Sequence, residues 1–147
     1  MKFIDGGVCA PKGFLASAVY SKIKKNPSNK DLGLIFSEVP AVAAGVFTTN
    51  KIKAACVVIS KEHLKSKNAQ AIIVNSGNAN CCTGKQGFKD ARQTAEVTAR
   101  ALGINPKAVL VASTGVIGRM LPMGKIINNI LPPIVSIEEL QGLGIVL

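Results

Sequence analysis

Three stretches of the sequence decide the fold: QAIIVN at 70–75, TGKQGFKDARQTAEVTARALG at 83–103 and AVLVASTG at 108–115. The first and third are short apolar runs, which are typical of buried strands. The middle stretch repeats apolar or small side chains at spacings of three and four residues, which predicts an amphipathic helix. The residues of that helix face are Phe88, Ala91, Ala95, Thr98 and Leu102. A strand, a helix and a second strand in this order predict an α/β fold.

Both ends of this helix carry recognisable signals. Thr83 and Gln86 fit a capping box, in which each side chain bonds a backbone N–H of the first turn. Gly103 is predicted to stop the helix. A second helix is predicted over 123–131, where two prolines follow and prevent its continuation.

Three further apolar runs, at 32–36, 41–49 and 54–60, predict strands. The segment 6–14 is punctuated by Gly and Pro and predicts a loop. No shift in composition marks a boundary, so residues 1–147 are interpreted as a single domain. Strands first, then helices alternating with strands, favour a layered sandwich over a doubly wound sheet.

The charge and the hydropathy of the chain argue against nucleic-acid-binding and membrane proteins. The net charge is +10, but the lysines are scattered and aromatic residues make up only 4%. Without stacking platforms among the lysines, the sequence predicts no nucleic-acid partner, and a solvated surface or a missing acidic partner chain explains the charge. A signal peptide and a membrane span are both missing from the sequence. We therefore expect a soluble, cytoplasmic protein with no membrane partner.

The cysteines and the one histidine do not form a metal motif. Cys9, Cys56, Cys81 and Cys82 contain no CxxC pair, and His63 is distant from them, so no metal site is expected. The adjacent Cys81 and Cys82 are either small buried side chains, the favoured interpretation, or a redox-active pair. His63 lies in a Lys-rich stretch and is predicted to be a surface residue.

Two polar turns follow predicted strands. NSGNAN at 75–80 is either a turn held by asparagine side chains or a place where the backbone approaches a ligand. STGVIG at 113–118 is either an ordinary strand-to-loop turn or an oxyanion hole. In an oxyanion hole, backbone N–H groups or the Thr114 hydroxyl would stabilise negative charge on a carbonyl oxygen. The residues alone leave these alternatives open and predict no more than a small-ligand α/β domain.

A resemblance to a known family adds to this reading. The sequence from about Gly6 to Ile130 closely resembles the N-terminal part of the ornithine acetyltransferase (glutamate N-acetyltransferase) family. The motifs that carry it, in order, are GGVCAPKGF at 6–14, AAGVFTTNK at 43–51, AA at 54–55, IVNSGNAN at 73–80, CTG at 82–84, VASTGVIG at 111–118 and LPM at 121–123. Several long motifs in one order make coincidence a poor explanation.

The resemblance implies an arginine-biosynthesis acyltransferase with a layered αββα sandwich built from interwoven α and β chains. A precursor cuts itself before a threonine, which becomes the first residue of the β-chain and the nucleophile. Acetyl then passes from N-acetylornithine to this threonine and on to glutamate. No cofactor is implied, although acetyl-CoA serves some members as a donor. The implied partner is the β-chain, in an α2β2 assembly.

Thr114 and Gly115 match the family's oxyanion-hole pair, and the loop at 75–80 is expected to support the site. Cys81 departs from the family pattern, in which a small alanine is expected. The Met-Thr-Thr-Asp and Asn-Met-Ala-Thr segments of the family do not occur in the 147 residues. The resemblance therefore implies that the nucleophile is not in this chain and that the chain alone is inactive. A truncated α-chain, a part of one and the product of an interrupted gene stay open, as does a non-catalytic remnant that keeps the fold.

Overall fold

A mixed four-stranded sheet with the strand order β1-β2-β3-β4 forms the centre of the fold. The computed structural model describes residues 7–130. Its strands are β1 (Phe14–Val19), β2 (Leu32–Val42), β3 (Asn68–Asn78) and β4 (Val109–Val116). Its helices are α1 (Ala55–His63), α2 (Gly84–Leu102) and α3 (Met123–Ile130), with short 3-10 turns at Gly7–Cys9, Leu64–Ser66 and Pro106–Ala108. β1, β2 and β3 pair antiparallel, whereas β3 and β4 are parallel and connected through α2. The predicted α/β class is confirmed.

One face of the sheet is buried and the other is open. Along β3 the burial alternates, so that Ala71, Ile73 and Asn75 are buried while Ile72 and Val74 are half-buried. The three helices cover the buried face. The core that they share with the sheet includes Leu32, Leu34, Ala55, Ile59, Ile73, Ala91, Ala95, Val109, Val111, Ile126 and Ile130. Within residues 7–130 the fold is therefore one helical layer on one sheet.

The predicted strand at 54–60 is wrong, because this segment forms helix α1. Its buried residues are Ala55, Cys56, Ile59, Ser60 and His63. These positions repeat with the period of a helix and not with the period of two that a strand requires. The β-branched run at 57–59 suggested a strand, but burial of one helical face against the sheet overrides that local preference.

The predicted strand at 32–36 is confirmed as the first half of β2, whereas the separate strand at 41–49 is wrong. Only Ala41 and Val42 of that segment belong to β2, beyond an irregularity in the register after Phe36. They pair with Ala69 and Asn68, and β3 begins at Asn68. One further backbone bond, from Ala43 N to Lys67 O over 2.9 Å, follows this pair, and residues 43–50 have no regular structure.

The predicted helix at 84–102 is confirmed, but its N-terminal cap differs from the capping box. The Thr83 hydroxyl donates to the Asn80 side chain over 2.8 Å, and the Gln86 amide donates to Asp90 over 2.7 Å. Neither side chain bonds a backbone N–H of the first turn. Gly103 does end α2, in the left-handed conformation.

The predicted apolar face of α2 is right at Ala91, Ala95 and Thr98, which are buried, and wrong at Phe88, which is exposed. Gly87 is the residue that turns inward instead. A Cβ at Gly87 would collide with the Thr83 side chain and approach Asn80 Oδ1 to 2.6 Å. The first turn of α2 therefore packs directly on the 80–83 turn through Gly87. The helix predicted at 123–131 is confirmed as α3 up to Ile130, and the prolines that follow lie outside the described residues.

Helix α1 occupies the outer edge of β4. The Ser60 hydroxyl donates to Val111 O over 2.7 Å and accepts from Val111 N over 2.9 Å. His63 Nδ1 lies 2.7 Å from Val109 O. The prediction that His63 is a surface residue is wrong, because it is only 8% exposed and bonds the strand edge. Two side chains thus satisfy backbone groups that an edge strand would otherwise leave unpaired.

The parallel strands β3 and β4 continue side by side to their last residues. Ser76 is paired with Thr114, Gly77 with Gly115 and Asn78 with Val116. Gly115 has a φ of +131°, which L side chains rarely adopt. A Cβ there would lie 2.5 Å from Asn78 N and 2.7 Å from Gly77 Cα. A side chain at residue 115 would therefore separate the strand ends.

Replacing Ser60 by alanine should remove both bonds to Val111 and leave buried polar groups unsatisfied. We expect the free energy of unfolding to fall by about 1–3 kcal/mol. Denaturant unfolding followed by circular dichroism measures this loss. Ser28→Ala, at an exposed turn, is the matched control and should leave stability unchanged. Equal stability of the two variants would contradict the role of Ser60.

Gly115→Ala should destabilise the protein, because the new methyl group meets the backbone of β3 and the conformation is strained. The strain alone is expected to cost about 1–3 kcal/mol. Gly124→Ala is the control, since nothing lies within 4 Å of a Cβ at that helical position, and alanine is favoured in a helix. Thermal melts of both variants test the contrast, and a Gly115→Ala protein as stable as Gly124→Ala would refute it.

Candidate functional site

The two polar turns of the sequence meet at one corner of the sheet. Because β3 and β4 are parallel, the segments 75–78 and 113–116 end at the same edge of the sheet and lie side by side. In α/β sheets, ligands bind outside the carboxyl ends of parallel strands. This corner is the candidate functional site.

The asparagines of the first turn are all engaged within the protein. Asn75 donates its side-chain amide to Asn78 O over 2.8 Å, and Asn78 donates its amide to Met120 O over 2.9 Å. Asn80 donates to Gly87 O over 2.9 Å and is completely buried. Of the two interpretations of this loop, the structure supports the turn held by asparagine side chains. These amides hold the corner together and are not free to bind a ligand.

Backbone bonds join the two turns beyond the strands. Ala79 N donates to Val116 O over 3.0 Å, and Gly118 N donates to Cys81 O over 2.9 Å. The Asn80 carbonyl also accepts from Ala55 N over 3.2 Å at the start of α1. The corner is therefore fixed to β4 on one side and to helix α1 on the other.

Thr114 and Gly115 lie at this corner and are both exposed. Side chains alternate along a strand, so Thr114 projects from the same face as Leu110 and Ala112, which is the open face of the sheet. Val111, four residues before Gly115, directs its N–H to Ser60 at the outer edge of the sheet.

A buried carboxylate, which the sequence analysis did not predict, holds the turn that lies beside this corner. Asp31 is 2% exposed and accepts from Ser21 N at 2.6 Å, Ser21 Oγ at 2.7 Å and Lys24 N at 2.8 Å. Its own carbonyl accepts from Ser76 N over 2.8 Å. The signal available in the sequence was an acidic residue directly before an apolar strand, in a chain with only eight acidic residues.

The turn that Asp31 holds packs against the end of β3. A Cβ at Gly77 would lie 3.0 Å from Lys24 Cγ and 3.1 Å from Ile23 Cγ2. The Lys125 ammonium of α3 donates to Lys22 O over 2.6 Å and ties this turn to the helical layer. The turn that contains Lys22, Lys24 and Lys25 therefore packs against the end of β3.

The adjacent cysteines predicted from the sequence lie next to this corner. Cys81 is half-buried and Cys82 is exposed, so the interpretation of the pair as buried side chains is wrong. Their turn projects from the protein because Asn80 and Thr83, on either side, are the residues that point inward.

Within residues 7–130, no group of three or more His, Cys, Asp or Glu side chains is placed to hold a metal ion. In the same range, no helix is long and apolar enough to cross a bilayer.

Known proteins match this chain over most of its length. The arginine biosynthesis bifunctional protein ArgJ of Caldanaerobacter subterraneus subsp. tengcongensis is 48% identical over 142 residues, which are 97% of this chain and 35% of that protein. The ArgJ of Gloeobacter violaceus is 56% identical over 127 residues, covering 85% of this chain and 31% of that protein. The chain therefore spans about a third of the length of the curated relatives it matches.

Solved structures match the fold as well. The crystal structure of the arginine biosynthesis bifunctional protein ArgJ from Bacillus halodurans superposes with a TM-score of 0.83 at 44% identity, covering 92% of this chain and 71% of that chain. An ornithine acetyltransferase from Mycobacterium tuberculosis, complexed with ornithine, gives a TM-score of 0.83 at 44% identity, covering 88% and 69%. Residues 15–141 match the ArgJ family, and the chain belongs to that family.

Proposed function

We propose that this chain is part of an acyltransferase that moves acetyl from N-acetylornithine to glutamate, and that Thr114 and Gly115 form its oxyanion hole. One observation carries the proposal. The pair that matches the family's oxyanion motif lies exposed at the carboxyl end of β4. The Thr114 side chain lies on the open face of the sheet, next to Gly115.

The proposed reaction has two halves. A threonine hydroxyl attacks the acetyl carbonyl of N-acetylornithine, the C–N bond breaks, and ornithine leaves after taking up the proton. The amine of glutamate then attacks the acetyl-threonine ester, which regenerates the hydroxyl and yields N-acetylglutamate. Each half passes through a tetrahedral intermediate with negative charge on the former carbonyl oxygen. Two donors aimed at this oxygen lower both barriers.

Rigidity at the corner favours such a role, because oxyanion donors act best when they need no rearrangement during the reaction. The buried amides of Asn75, Asn78 and Asn80 hold the turn next to β4. The close approach of Gly115 to Gly77 fixes the end of β4 against β3. We assign these residues to the support of Thr114 and Gly115 and not to contact with the substrate.

The nucleophile is proposed to come from a partner segment outside these 147 residues. That segment is the β-chain of the same precursor, with its N-terminal threonine as nucleophile and the freed α-amine as base. A cover for the sheet is needed in any case, since its open face carries half-buried apolar side chains at Ile35, Ile72, Val74 and Leu110. A second sheet packed on this face would complete an αββα sandwich. We propose an α2β2 assembly in the cytoplasm.

The charge of the proposed substrates is opposite to the net charge of the chain. Glutamate is anionic, and the acetyl-CoA that we keep as an alternative acetyl donor is strongly anionic. The net charge of +10 and the lysines of the 22–25 turn would raise the local concentration of either. No bound cofactor enters the proposed reaction.

Acetyl transfer from N-acetylornithine to glutamate is the experiment that tests this function. The chain is assayed alone and together with a β-chain taken from a relative. Activity only in the mixture would support the proposal. If the reconstituted mixture forms a complex but transfers no acetyl, the alternative holds, namely a non-catalytic fragment that retains the fold. Activity of the chain alone would refute the placement of the nucleophile in a partner.

Thr114→Ala in the active mixture should lower kcat by about a hundredfold or more, because one oxyanion donor is worth about 2.7–4 kcal/mol. Thr114→Ser is the matched control, since it keeps the hydroxyl and should retain most of the activity. Rates of ornithine release measure the effect, and melting temperatures of the variants show whether the fold is intact. Equal rates for the alanine and serine variants would defeat the assignment.

A further inference from the structure

Adjacent thiols project from the turn between β3 and α2. Cys81 is half-buried, Cys82 is exposed, and their sulfur atoms lie 3.9 Å apart. Cys82 has a φ of +58°, and Asn80 on the other side of Cys81 has a φ of +46°. This backbone is held in place, because Cys81 O accepts from Gly118 N and Thr83 bonds Asn80. Neither thiol has a role in the proposed acetyl transfer.

We propose that Cys81 and Cys82 form a dithiol site that binds trivalent arsenic through both sulfur atoms. The separation of the sulfurs is close to what a single bridging atom requires. With bonds of about 2.3 Å, as in metal–thiolate bonds, a bridging atom would subtend an angle of about 116° at a separation of 3.9 Å. A pyramidal arsenic centre prefers a smaller angle, which side-chain rotation of the exposed Cys82 supplies by bringing the sulfurs slightly closer.

A disulfide between the same residues fits less well. The sulfurs would have to approach by about 1.9 Å to reach a bond of about 2.05 Å. Consecutive Cα atoms are only about 3.8 Å apart, whereas Cα separations in disulfides begin at about 4.4 Å. The turn is also fixed by the bonds at Cys81 O and Asn80. Bridging by a larger atom avoids this distortion.

Zinc fits this pair less well because of its coordination number. A structural zinc site takes four ligands, and residues 7–130 contain no group of three or more His, Cys, Asp or Glu side chains placed to hold a metal ion. Trivalent arsenic in an organic arsenical needs only two sulfurs, since its third substituent is already attached. Thiolates favour soft centres of this kind over hard cations.

The binding reaction balances without a change in oxidation state. An arsenical with one organic group and one oxygen forms two As–S bonds, and the oxygen leaves as water with both thiol protons. Partial burial, and then the neighbouring Cys82 thiol, raise the pKa of the Cys81 thiol. Both thiol protons leave with the departing oxygen as water.

The site would also act on the candidate oxyanion corner. Cys81 is bonded to Gly118, and Ala79 is bonded to Val116, directly after Thr114 and Gly115. A bulky group held by both sulfurs would stand beside the segment 116–118. Binding itself depends on no part of the proposed acetyl transfer, so the two proposals can fail separately.

Phenylarsine oxide is the probe, and the full chain in reducing-agent-free buffer is the sample. Native mass spectrometry should show one phenylarsenic group per chain, with the loss of two hydrogens. The adduct should survive excess 2-mercaptoethanol and be removed by 2,3-dimercaptopropanol, because a chelating dithiol is needed to compete with a dithiol. Removal by the monothiol at equal thiol concentration would overturn the proposal.

Variants locate the site. Cys81→Ala and Cys82→Ser should each weaken binding about a hundredfold or more, through loss of the second, intramolecular bond. Cys9→Ser and Cys56→Ala are the matched controls and should bind as the unaltered chain does. Circular dichroism verifies the fold of each variant. Binding that is unchanged in Cys81→Ala, or that is lost in Cys56→Ala with an intact fold, would show that the thiols act elsewhere or singly.

Discussion

The parallel pairing of β3 with β4, carried to the last residues of both strands, is the constraint on which the rest of the structure depends. Glycine faces glycine at residues 77 and 115, so the two backbones approach more closely than side chains would permit. The close approach brings the asparagine turn beside β4 and presents Thr114 at the surface. Every feature of the candidate site follows from this one register, because a shift by one residue would place a side chain against the backbone.

Polar groups in the interior of this protein fix positions more than they contribute net stability. Buried Asn80 joins β3, α1 and α2 at one point. Buried Asp31 attaches the turn at 21–24 to the end of β3. A network of this kind costs much when a single member is removed, since the partners are left unsatisfied. Buried amides and a carboxylate thus hold the candidate site in place, and they fix the orientation of its exposed residues.

The sequence predicted the helix over 84–102 and the strands at 70–75 and 108–112, because each shows a clear period and a clear end. It failed at 54–60, where the β-branched run concealed buried positions repeating at helical spacing, and no strand was predicted at 14–19, where a short apolar run follows a glycine. Thr114 and Gly115 were proposed as an oxyanion pair through a family motif, since spacing alone did not distinguish an oxyanion hole from a turn. Asp31 could not be found, because its partners are set by tertiary contacts and not by a local pattern.

The attachment of α1 to β4 has a consequence for how the sheet can grow. Ser60 and His63 occupy the outward backbone groups of Val109 and Val111, so a foreign strand cannot add along that part of the edge. One further outward-facing position, Ser113, lies between Val111 and Gly115, and one position is too short a stretch to template another chain. Growth of the sheet by strand addition is therefore blocked at the part of the β4 edge that α1 covers. Helix α1 thus protects this edge of the sheet from pairing with a foreign strand, through the hydroxyl of Ser60 and the imidazole of His63.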